Sequence, residues 1–171
     1  MLKPIESILF ATDLSQNCQQ AYEHAIGLSI RFKATLYLLY VIEAIPENVE
    51  SRLKSLMGRH NWDDLMSNKV ADVQKTLTGK IRSHGLLGQI QEFCRTVGVD
   101  DDVCEFQSRE IIISSGDIAE NILEHAKENE CDLIILGTKK GMLAPNSVGS
   151  KCKAVLKHSP IPVTLVPAAA Q

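Results

Sequence analysis

An α/β fold is predicted, a parallel sheet with helices on both faces, because apolar strand-like runs alternate with one-sided helical stretches along the chain. Five runs, at 7–11, 35–42, 106–113, 133–136 and 163–166, are rich in Ile, Leu and Val on both parities. Strands buried on both faces have that composition. The turns that bound them are polar.

After the first run, Cys18, Tyr22, Ala25, Ser29 and Phe32 recur every three or four positions, with Glu23, Arg31 and Lys33 among the residues between them. This is a helix with one apolar face. The second run, 35–42, ends in Val41 and Ile42. The third, 106–113, ends at Ser114–Ser115. Ser115 and Asp117 are then placed to cap a helix on which Ile118, Ile122, Leu123 and Ala126 share a face, with Lys127 in its last turn. The fourth run leads into a glycine-bearing loop and a helix over 151–158, and the fifth lies between Pro162 and Pro167.

The stretch between the second and third runs is read as an enlarged helical crossover at about 46–102 within one domain spanning 1–171. A short helix is predicted over 46–57 and a longer one over 62–82, where Leu65, Val70, Val73, Leu77 and Ile81 keep helical spacing. Gly85 and Gly88 interrupt it, and a further helix is expected over 90–97 before Asp100–Asp101–Asp102. The stretch lacks enough apolar residues for a core of its own.

Composition excludes several classes of function. The 171 residues, 44% hydrophobic and 23% charged, describe an ordinary folded domain that buries roughly 70% of its unfolded surface. A net charge of −3, without a basic stripe or interleaved aromatics, argues against nucleic acid. The start MLKPIESILFATD reaches Asp13 after too few apolar residues for a signal peptide, and no run is of membrane-spanning length, so the expected location is the cytoplasm. Cys18, Cys94, Cys104, Cys131 and Cys152 are odd in number and never form C-x-x-C, which predicts reduced thiols. His24, His60, His84, His125 and His158 are scattered without ligand spacing, so no metal site is expected.

The most informative stretch is GTKKGMLAPNSVGS, between the fourth strand and the last helix. A strand, a glycine loop and a helix start create backbone N–H groups that can point at a phosphate. In parallel sheets ligands sit at the carboxyl ends of strands, so the residues to inspect are Thr12 and Asp13 after the first run, Val41 and Ile42 ending the second, and Gly137 onward after the fourth.

The segments ILFATDLS, LLYVIE, SGDIAENILEHAKENECDLIILGT, the loop ending in GS and HSPIPVTLVP are similar, in that order, to those of the universal stress protein family. The resemblance implies a five-stranded parallel sheet of order 3-2-1-4-5, a Rossmann-like architecture of the adenine nucleotide alpha hydrolase type. It also implies a stress-response role and a homodimer through the last strand, Val163 to Val166. An unpaired edge strand supplies a physical motive for that dimer. One branch of the family holds ATP and another holds no nucleotide.

Carried over by position, the resemblance puts Thr12, Asp13 and Val41 near the adenosine and Gly137, Lys140, Gly141, Gly149 and Ser150 near the phosphates. Asp13 would face the ribose or a phosphate-bound Mg²⁺; the alternative is that it only caps the helix beginning near Ser15. Val41 would offer its backbone to the adenine edge. The loop departs from the pattern of ATP-holding relatives: Gly149 follows Gly137 by 12 positions, one fewer than that pattern, Lys140 stands where a glycine is expected, Gly141 comes one place late and Pro145 stiffens the shortened loop. Lys139 and Lys140 either supply charge to a triphosphate or are simply solvated.

Enzymatic motifs are missing from the sequence. ATDLSQ stands where related ATP pyrophosphatases carry a Ser-Gly-Gly-x-Asp-Ser loop, and Gly149–Ser150 lacks the lysine of a Walker-type loop. Asp13 has no acidic neighbour of the kind a receiver domain uses. The expected function is therefore a binding and signalling module for ATP or another adenine nucleotide, acting on an unknown protein partner. Two alternatives stand beside it: a nucleotide-free dimeric interaction module, and a weak ATPase whose metal-dependent phosphate release would vanish in Asp13→Ala and Gly149→Val.

Overall fold

The computed structural model describes residues 2–82, 109–138 and 148–168. Five strands, β1 (Ser7–Ala11), β2 (Thr35–Glu43), β3 (Arg109–Gly116), β4 (Leu133–Thr138) and β5 (Val163–Pro167), form one sheet of order β3-β2-β1-β4-β5. Every pairing is parallel, with Ser7 opposite Thr35, Ile8 opposite Leu133, Leu36 opposite Arg109 and Ile134 opposite Val163. The strand order reverses between β1 and β4, so a crevice opens at their carboxyl ends.

Helix α1 (Gln19–Phe32) follows a short 3₁₀ turn, Gln16–Cys18, and packs Tyr22, Ala25, Ile26 and Ile30 against Ile8, Phe10, Leu36 and Ile135. Phe10 and Tyr22 stack with ring centroids 5.8 Å apart. On the other face, α4 (Ile118–Glu128) and α5 (Ser150–His158) cover Leu9, Leu39, Ile134 and Leu136 with Ala119, Ile122, Ala126 and Val155. The alternating side chains of each central strand thus feed two cores. The apolar character of both parities has this cause.

Asp132 sets the start of β4 against β1. Its Oδ2 accepts from the N–H groups of Glu6 and Ser7 at 2.9 and 3.1 Å, while Lys3 pairs with Oδ1 at 2.5 Å. Helix α4 begins at Asp117, whose Oδ1 accepts from the Glu120 N–H at 3.0 Å. Beside it Asn121 is 9% exposed, takes a hydrogen bond from Ser114 and donates to the carbonyls of Asp117 and Ser115.

Three sequence expectations need correction. Strand β3 continues through Ser114 and Ser115 to Gly116, pairing with β2 as far as Glu43, so Ser115 is a strand residue and Asp117 alone caps α4. Phe32 is 48% exposed, because the buried stripe of α1 runs through Ile26 and Ile30 instead. In the crossover, α2 (Glu47–Met57) and α3 (Arg59–Arg82) match the predicted helices, yet Leu65 and Val70 are exposed. Among the described side chains of α3, Trp62, Val73 and Leu77 are buried, and that of Ile81 lies outside them. The helix expected over 90–97, the start of the third run at 106–108, His84, Cys94 and Cys104 lie outside the described residues.

Candidate functional site

Local chemistry around Asp13 is set by a tight turn after β1. The Thr12 N–H donates to the Leu39 carbonyl at 2.9 Å, which carries the β1–β2 pairing one residue past the strand. Thr12 Oγ1 then accepts from the Leu14 N–H at 3.0 Å, and Asp13 Oδ1 accepts from the Ser15 N–H at 2.9 Å and the Cys18 thiol at 3.2 Å. Leu14 has a φ of 63°, a left-handed conformation that costs an ordinary side chain roughly 1–2 kcal/mol. That turn fixes where the Asp13 carboxylate stands. Partial burial pushes the carboxyl up, but the hydrogen bonds from Ser15 and Cys18 outweigh it and hold Asp13 below its ordinary value.

Gly137, within β4, faces this turn. A Cβ there would lie 3.1 Å from Cys18 Sγ, 3.3 Å from Cys18 Cα and 3.4 Å from the Asn17 carbonyl. Absence of a side chain therefore lets the 3₁₀ turn close onto the end of β4. On the other side of the strand, the Cys152 thiol points at the Gly137 carbonyl, 3.9 Å away.

Gly149 is the residue before α5, with φ −57° and ψ 155°, so its backbone does not demand glycine. Among the described residues, a Cβ added there would meet nothing within 4 Å. The first intrahelical bond runs from the Lys153 N–H to the Gly149 carbonyl at 3.0 Å, so the amides of Ser150, Lys151 and Cys152 have no partner within the helix. Among the described residues no side-chain hydrogen bond caps α5, and its first turn has no acidic residue.

These pieces meet around one cavity of about 480 Å³, at the carboxyl ends of β1, β2 and β4 and the start of α5. Thr12, Asp13, Val41, Gly137, Gly149 and Ser150, separated by up to 138 positions in sequence, all line it. Lys140 and Gly141 lie outside the described residues, as do Lys139 and Pro145. The size falls within the range of small-molecule sites. Ile118, Ile122, Leu136 and Val41 make part of its wall apolar, which suits a flat ring, while the amides of Ser150, Lys151 and Cys152, without partners inside the helix, suit an anion.

Sequence reasoning missed Glu43, Lys69 and Lys151, which also line the cavity. Lys151 pairs with Glu43 at 2.9 Å and with Asp117 at 3.5 Å. Its position directly after Gly149–Ser150, at the predicted helix start, was a usable signal. For Lys69, on the exposed face of α3, there was none. Among the described residues no group of three or more His, Cys, Asp or Glu could hold a metal ion, and no helix is long and apolar enough to cross a membrane. Burial pushes the thiols of Cys18 and Cys152 up, so both are neutral near pH 7.

The model of the Universal stress protein family matches residues 4–167, nearly the whole chain. The chain belongs to that family. A universal stress protein from Methanothermobacter thermautotrophicus is 23% identical over 168 residues, covering 97% of this chain and 98% of the relative. Among solved structures, universal stress protein UspA from Lactobacillus plantarum superposes with a TM-score of 0.61 at 23% identity, covering 96% of this chain and 99% of the other. Two further universal stress protein structures share the fold. One, in complex with cAMP, has a TM-score of 0.55 at 14% identity and covers 98% and 100% of the two chains. The other, from Archaeoglobus fulgidus in complex with dAMP, has a TM-score of 0.54 at 12% identity and covers 95% and 98%. The universal stress protein sheet order expected from the sequence is the order observed here.

Proposed function

We propose that this universal stress protein is an adenine-nucleotide-binding signalling module that holds ATP, with Mg²⁺ on its phosphates, in the cavity between β1, β4 and α5. The observation that carries this reading is the uncapped start of α5 opening on a cavity of about 480 Å³, with free space at Gly149 where a phosphate could approach the backbone. That family members have been solved with cAMP and dAMP supports an adenine nucleotide as the ligand class. The adenine would lie toward Val41 and Ile122, the ribose toward Asp13, and the phosphates toward Gly149 and Ser150.

The work of the protein is binding, not turnover. Nucleotide would hold the segment after β4 against the turn after β1, changing a surface that a partner protein reads. Calorimetry with ATP, AMP and cAMP, together with mass spectrometry of the denatured purified protein, tests this. Saturable binding weakened by Gly149→Val supports it. The absence of both a titratable and a co-purified nucleotide would overturn it in favour of a nucleotide-free interaction module, a reading favoured by the shortened loop and the position of β5 at the sheet edge.

A further inference from the structure

Lys151 occupies an unfavourable place for a cation. It lies in the first turn of α5, where the peptide dipole already presents positive charge and where neither an acidic residue nor a side-chain cap offsets it. Compensation comes from elsewhere in the chain, because Glu43 at the end of β2 and Asp117 at the start of α4 reach its ammonium group at 2.9 and 3.5 Å. All three side chains are substantially exposed, at 42% for Lys151, 61% for Glu43 and 45% for Asp117. Exposed pairs of this kind hold weakly and exchange readily.

Lys151 and Glu43 both line the cavity next to Gly149 and Ser150. A phosphate arriving at the amides of α5 therefore comes within the neighbourhood of an ammonium group whose present partners are two exchangeable carboxylates. Because a phosphate carries more charge than a carboxylate and accepts charge-assisted hydrogen bonds, it competes effectively for the lysine.

We infer that Lys151 is the residue by which this site discriminates nucleotides by phosphate charge, held in reserve by Glu43 and Asp117 and transferred to the phosphates on binding. The inference rests on the nucleotide reading above and adds to it a specificity determinant on α5 and a restraint built from β2 and α4. Glu43 and Asp117 set the threshold: they keep Lys151 engaged until a multiply charged ligand takes it. Ligands without phosphate do not recruit it.

Calorimetry with ATP and adenosine on the full chain, at two salt concentrations, tests the assignment. Lys151→Met is expected to lower the ratio of ATP affinity to adenosine affinity about tenfold and to flatten its salt dependence. Glu43→Gln is expected to raise the same ratio about threefold, since it leaves Lys151 in place and removes its nearer competitor. Circular dichroism checks that each variant is folded, and Lys151→Gln replaces Lys151→Met if the latter is not. A ratio unmoved by the Lys151 change, or lowered by both changes, overturns the inference while nucleotide binding itself stands. Failure of the unaltered protein to bind either ligand overturns the nucleotide reading and this assignment with it.

Discussion

Gly137 and Gly149 bracket the same loop but are glycine for different reasons. At Gly137 the constraint is steric and internal: backbone atoms of Asn17 and Cys18 stand within 3.4 Å of the place a Cβ would take, and backbone cannot swing aside. Gly137→Ala should destabilise the protein by about 1–3 kcal/mol, the usual cost of overpacking, in a urea melt. At Gly149 the space is open, so Gly149→Ala should cost well under about 1 kcal/mol in the same melt, while lowering ATP affinity in calorimetry. Cys131 gives a second residue-scale prediction. Burial, followed by the charge of Asp132, pushes its thiol up to about 11. Its folded value lies above the unfolded one of 9.0, so the stability it contributes is full below that lower value and is lost as pH rises toward 11. A colorimetric thiol reagent at pH 8 should react with Cys131 only on unfolding.

At the scale of elements, the site depends on where strands end and helices begin. β1 and β4 are held in register at their entry by Asp132, whose side chain is 8% exposed. The Lys3 ammonium group is the largest influence on its carboxyl; burial opposes it, and the N–H groups of Glu6 and Ser7 add to it, leaving the carboxyl below its ordinary 3.8. A depressed folded value means stability that is present above the unfolded value and lost as pH falls through the folded one. Asp132→Asn should therefore cost about 1–2 kcal/mol at pH 7. Its deficit relative to the unaltered protein should shrink below about pH 4, as denaturant titrations at pH 7 and pH 3 would show. The helices of the crossover were readable from spacing, but which of their apolar residues face the sheet was not. Leu65 and Leu77 fit one helical pattern, yet only Leu77 is buried. Periodicity marks a face without saying what covers it.

For the whole molecule, the order of the strands leaves β5 at one edge. Val163 and Leu165 pack on the core below, and Thr164 alternates to the opposite side. If the proposed homodimer forms through this edge, Thr164→Lys should shift sedimentation from dimer to monomer without lowering the melting temperature by more than a few degrees. A monomeric unaltered protein would overturn the homodimer, and a dimer indifferent to the charge would place its interface elsewhere.

By itself the sequence determined the fold and its outline: apolar runs on both parities require strands covered on two faces, and the helical stretches between them supply the covers. It also located Thr12, Asp13, Val41, Gly137, Gly149 and Ser150 as strand-end and helix-start residues, because those positions follow from local pattern. Only tertiary structure decided that Glu43, Asp117 and Lys151 meet, and that Lys69 of the crossover reaches the same cavity. Charge pairing acts through space and depends on which strand ends the sheet brings side by side. Residues as far apart as Glu43 and Lys151, 108 positions, leave no periodic trace of that meeting.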